Sequence, residues 1–110
     1  MIDGLYSVVF GMPQGVIGRG IVVFTAGKAK GGDLTYFYDG IVRATGGDNV
    51  EAEVKVRRYQ DTGESVFGPL SEFRLRLEGP ASGPRFVLSG SMVENPTAQI
   101  TVQCTKLTDA

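Results

Sequence analysis

Val50-Glu51-Ala52-Glu53-Val54-Lys55-Val56-Arg57 decides the fold, because apolar and charged residues take strict turns along it. Successive side chains of a β-strand point to opposite faces, so such a segment has one face for a core and one for water. The same writing recurs in both directions. Downstream, Phe73, Leu75 and Leu77 alternate with Glu72, Arg74, Arg76 and Glu78; upstream, Tyr6, Val8 and Phe10 alternate with Leu5, Ser7 and Val9. The sequence therefore predicts a sheet protein.

Glycine supplies 16 of the 110 residues and falls between apolar runs at hairpin spacing. Reading outward, strands are expected over Gly4 to Phe10, Val16 to Thr25, Leu34 to Arg43, Val50 to Arg57, Phe73 to Leu77, Arg85 to Val93 and Ala98 to Leu107. Gly27 to Gly32 and Ala44 to Asn49 read as turns, and breaks are expected at Gly11-Met12-Pro13, Gly79-Pro80 and Glu94-Asn95-Pro96. In the third strand Leu34, Tyr36, Tyr38, Gly40 and Val42 share the inward face. Between residues 61 and 68 the alternation lapses, and Asp61-Thr62-Gly63-Glu64 resembles a capped turn leading to a short helix. Sequential strands with one apolar face pair as a meander and tend to close so that no edge stays unpaired. The expectation is an all-β, antiparallel, up-and-down, lipocalin-like barrel of about seven or eight strands, forming one domain over residues 1–110.

Composition narrows the function. Eleven basic residues face twelve acidic ones, for a formal charge of -1 and a pI near 5.3, so no broad cationic surface exists to hold nucleic acid phosphates. Residues 1–10 show no signal-peptide pattern and no run of about 18 apolar residues occurs, which makes the cytoplasm the expected location and a membrane span unexpected. Cys104, the single cysteine, falls on the apolar side of the last strand and reads as packing.

Reactive chemistry is hard to assemble. Histidine is missing altogether, which removes the commonest general base, the usual zinc ligand and the Ser-His and Cys-His nucleophile pairs. Glu51 and Glu53 share the watery face of their strand, where a carboxylate pair lacks the burial that raises one pKa for acid catalysis. Gly15-Val16-Ile17-Gly18-Arg19-Gly20 lacks the Lys-Ser/Thr ending of a phosphate loop and reads as glycine in a bent strand. Lys55, Arg57 and Arg58 share their strand with Glu51 and Glu53, the mixed charge of a barrel exterior. A non-enzymatic binding protein with no cofactor and no metal is the expectation.

Two surfaces are candidates for binding. Inward Tyr6, Phe10, Tyr36, Tyr38, Val54, Leu75 and Val102 would line the hollow of a barrel that carries a small apolar ligand. Outward Phe37 and Ile41 would form an apolar contact surface, most simply between two copies of the chain.

Several motifs are similar to those of the GrlR family, named for a small negative regulator of type III secretion gene expression. These are Asp3-Gly4-Leu5-Tyr6-Ser7-Val8-Val9-Phe10, Gly18-x-Gly20, Gly31-Gly32-Asp33, Tyr36-Phe37-Tyr38-Asp39-Gly40 and the segment from Val56 to Arg58-Tyr59. The resemblance is clearest over about the first 60 residues. It implies a dimeric, lipocalin-like barrel with an apolar interior, which represses by binding a helix-turn-helix transcription activator and does not touch DNA. The namesake carries four consecutive acids in an exposed turn. The corresponding place here is Ala44 to Asn49, where Thr45, Gly46, Gly47 and Asp48 form the candidate partner loop and Asp48 is the only acid.

Overall fold

A computed structural model describes residues 2–59 and 71–110. Eight strands follow in chain order: β1 (Gly4–Met12), β2 (Gly15–Thr25), β3 (Lys28–Gly32), β4 (Tyr36–Gly46), β5 (Asn49–Arg58), β6 (Glu72–Pro80), β7 (Arg85–Met92) and β8 (Asn95–Thr108). Each pairs antiparallel with its sequence neighbours, and β1 pairs with β8 to close the barrel. The architecture is that of an up-and-down, lipocalin-like barrel, with no helix among the described residues. The short helix expected near 61–68 lies outside the described residues.

The alternation sorts side chains as read. Tyr6, Val8 and Phe10 of β1, Val56 of β5, Phe73, Leu75 and Leu77 of β6, and Ile100, Val102 and Cys104 of β8 are all buried. Among the described residues the buried class contains no polar or charged residue. Outside, opposite charges meet directly across the ladders: Lys30 with Asp39 at 2.6 Å, Arg43 with Glu51 at 3.2 Å, Arg57 with Glu72 at 2.9 Å, and Glu53 with Arg76 at 3.7 Å. Exposed pairs of this kind contribute at most about 1 kcal/mol each. Their use is in register, because a one-residue slip would break the charge matching and turn the apolar set to water.

Several expectations need correction. Gly79-Pro80 does not break β6, since both residues still pair with β5, and the turn expected over Ala44 to Asn49 narrows to Gly47-Asp48. Gly27 to Gly32 is not a turn: only Ala26 and Gly27 form the turn, and Lys28–Gly32 is β3, paired with β2 and β4. Its pattern escapes notice because the inward positions are Ala29 and Gly31, too small to read as a core face. Gly31 has to be small, since an added Cβ would lie 1.9 Å from the Ile21 carbonyl oxygen. Leu34 does not open the inward face of β4, which starts at Tyr36; it sits in the β3–β4 loop, 88% exposed. Finally, the chain turns at Val93-Glu94, so that Asn95 and Pro96 already belong to β8.

In a meander, successive connections alternate between the two barrel ends. The turns after β2, β4 and β6 lie at the end where β1 begins. The connections after β1, β3, β5 and β7 lie at the other.

Candidate functional site

At the β3–β4 end, the loop is organised by Asp33. Its carboxylate accepts the N–H groups of Thr35 and Tyr36, both at 2.8 Å, and also the hydroxyl of Tyr38. Tyr59 donates its hydroxyl to the Asp33 carbonyl at 2.5 Å, and its N–H to the Thr35 carbonyl at 2.9 Å. Burial first, and then the Asp33 carboxylate, push the Tyr38 phenol far above its ordinary pKa. Tyr36 packs edge-on to Phe73 at 5.9 Å, with the Arg58 guanidinium 5.8 Å over its ring. Each inward tyrosine at this end has thus found a polar partner, as buried phenols need.

Among the described residues the barrel interior is almost filled. A void of about 40 Å³ remains, bordered by Phe10, Tyr38, Val54, Leu75 and Val102 together with Cys104. Those are five of the seven side chains expected to line a cavity. The other two pack elsewhere: Tyr36 at the β3–β4 end, and Tyr6 against Phe24 and Phe86, with ring centroids 5.3 and 5.4 Å away. An apolar cavity of roughly 150 Å³ holds a benzene-sized guest, so a void of about 40 Å³ is far too small for a lipid chain. Cys104 is buried beside it, and desolvation pushes its thiol up to about 12.

Space opens instead at the opposite end. A pocket of about 180 Å³ lies in the mouth, between the start of the chain and the turns after β2 and β4. Phe24 and Val50 form its buried floor, with Ile2, Val42, Ala44 and Ala81 as apolar walls and Asp3, Lys28 and Asp48 at the rim. Two backbone hydrogen bonds tie the walls together. The Val42 N–H donates to the Gly27 carbonyl and the Ala81 N–H to the Asp48 carbonyl, each at 2.8 Å. The turn after β2 is thereby held to β4, and the loop after β6 to the turn after β4.

The candidate partner loop divides here. Gly47 and Asp48 line the mouth, whereas Thr45 borders a shallow outer groove of about 370 Å³ with Asn49, Glu78 and Ser89. Gly46 lies between, paired with Asn49. Sequence reasoning missed Ile2, Asp3, Lys28 and Val42 as site residues. The signal that could have found them is strand parity, which requires β3 to be counted.

On the outer wall Phe37 is 39% and Ile41 55% exposed. The register sets Ile21, Gly32 and Phe37 side by side across β2, β3 and β4. Since Gly32 has no side chain, the two apolar residues flank a bare backbone floor. Tyr59 extends this row, with its ring centroid 6.4 Å from that of Phe37.

Among the described residues no group of acids, cysteine and histidine could hold a metal ion. No protein-family model matches the chain, and no curated protein matches it in sequence.

Proposed function

We propose that this chain is a non-enzymatic binding barrel of the calycin type, which holds a small, mainly apolar ligand in its mouth. The observation that carries this reading is the pocket of about 180 Å³ with a buried apolar floor and a few polar groups at its rim. That is the usual make-up of a small-molecule site, although its size suits a fragment-sized guest. The two backbone hydrogen bonds between the walls lower the cost of ordering the turns when a guest enters. Native mass spectrometry of freshly purified protein tests the reading, combined with methyl NMR of Ile2, Val42 and Val50. A co-purifying small mass, or saturable methyl shifts on adding fragments, supports it. An empty protein whose mouth methyls respond to no fragment overturns it.

A second reading is a regulator that acts by protein contact, as a homodimer that engages a transcription activator. The exposed row of Ile21, Gly32, Phe37 and Tyr59, with Ile41 nearby, favours it, because contiguous apolar surface of this kind marks interfaces. Phe37→Glu would then yield monomers in sedimentation, whereas persistent dimers would place the seam elsewhere.

A further inference from the structure

We propose that the mouth pocket selects a cationic guest, a primary amine carrying an apolar body of about six to eight heavy atoms. The inference rests on the mouth-binding reading and adds the charge of the ligand. Asp3, Asp48 and Lys28 are the charged residues bordering the pocket, Lys28 standing opposite Ile41 on the outer face of β3. None of the three makes an ion pair or hydrogen bond among the described residues, while Asp3 acts through space on the Lys106 ammonium and Lys28 on the Asp39 carboxylate. The outer wall differs: there Lys30, Arg43, Arg57, Arg74 and Arg76 each have a carboxylate partner.

Two carboxylates against one ammonium leave the rim net negative. Lys106 stands at the same end, where Asp109 and, more weakly, Asp3 raise its pKa; Asp109 holds its ammonium at 2.9 Å, and adding that pair leaves the balance unchanged. The floor beneath is Phe24 and Val50, which offers no hydrogen bond to a polar body. An aliphatic or benzylic amine therefore meets both demands: its ammonium lies among the rim carboxylates, and its hydrocarbon replaces water on the floor. An anion of the same shape would meet a repulsive rim, with a single lysine to compensate.

Three near-isosteric probes separate charge from shape: benzylamine, benzyl alcohol and benzoate, titrated at low salt against the methyl signals of Val42 and Val50. Benzylamine is expected to bind about fivefold tighter than benzyl alcohol, with benzoate weakest. The Asp3→Asn/Asp48→Asn double variant is expected to abolish the preference for amine over alcohol; both positions are outside the core, so the barrel is retained. Equal binding of amine and alcohol, or tightest binding of benzoate, would overturn the charge selection and leave mouth binding standing. If no probe moves the mouth methyls, the mouth-binding reading falls and the charge selection falls with it.

Discussion

The Tyr38 hydroxyl donates to the Asp33 carboxylate, which ties an inward ring of β4 to the loop that precedes the strand. Asp33 also accepts two backbone N–H groups of that loop, so a single carboxylate both shapes the turn and satisfies a phenol buried in the core. Phe10 packs edge-on to the same ring at 5.4 Å.

Removing the two partners should have unequal effects. Tyr38→Phe leaves Asp33 with its backbone donors and is expected to cost about 1 kcal/mol. Asp33→Ala strands a buried hydroxyl and uncaps the loop, at about 2–3 kcal/mol. Urea unfolding of both single variants and the double measures the coupling. Strictly additive losses would mean that the hydroxyl contributes nothing through Asp33.

Alkaline pH should destabilise the barrel in two stages. Cys104 and Tyr38 both have folded pKa values raised above their unfolded ones, Cys104 from 9.0 to about 12 and Tyr38 upward from 10.0. Their contribution is fully present below the unfolded values. As pH rises past 9 the unfolded thiol ionises while the folded one does not, and stability falls by up to about 1.4 kcal/mol per pH unit. Tyr38 adds a second slope above about pH 10. Stability of Cys104→Ala should decline less steeply between pH 9 and 10 than that of the parent; parallel declines would show that the thiol is not protected.

Gly20→Ala should disturb Tyr38 from the other side. An added Cβ would lie 2.7 Å from the Tyr38 hydroxyl oxygen and 2.9 Å from the Gly32 carbonyl oxygen. Overpacking of this kind costs about 2–3 kcal/mol. Placed in a Tyr38→Phe background, the same change should cost less, because the hydroxyl that it strikes is gone. An equal cost in both backgrounds would assign the strain to the Gly32 backbone alone.

The turn after β2 holds a correctable strain. Ala26 has φ of 50° and Gly27 φ of 77°, the pair of positive values that a two-residue hairpin turn of type I′ requires. Alanine pays for this conformation without the local side-chain hydrogen bonding that lets asparagine tolerate it. Ala26→Asn is expected to raise stability by about 0.5–1 kcal/mol, seen as a higher melting temperature. An unchanged or lower value would show that the turn does not carry this strain.

The sequence alone determined that the chain is a sheet protein with one apolar face, and which residues of β1, β5, β6 and β8 point inward. Period-two alternation is a local property, and the segment Val50 to Arg57 states it without any tertiary information. Tyr36 and Tyr38 were legible as inward, and Phe37 and Ile41 as outward, for the same reason. The identity of the phenol's partner was not legible, because Asp33 reaches Tyr38 through the fold of a loop, and alternation says nothing about loops.

Tertiary structure decided the strand count and hence the site. Lys28–Gly32 has no large apolar residue on its inward face, so it becomes a strand only because β2 and β4 stand on either side of it and offer it their unpaired backbone groups. Without β3 the barrel would have seven strands, and in a meander of seven the first and last run parallel; with eight, β1 and β8 are antiparallel, as found. Counting β3 also moves the Gly47-Asp48 turn to the same end as Asp3 and Lys28, where the three meet around the mouth. Side-chain volume inside the barrel, which no local pattern encodes, then left the centre nearly filled among the described residues and a pocket open at that end.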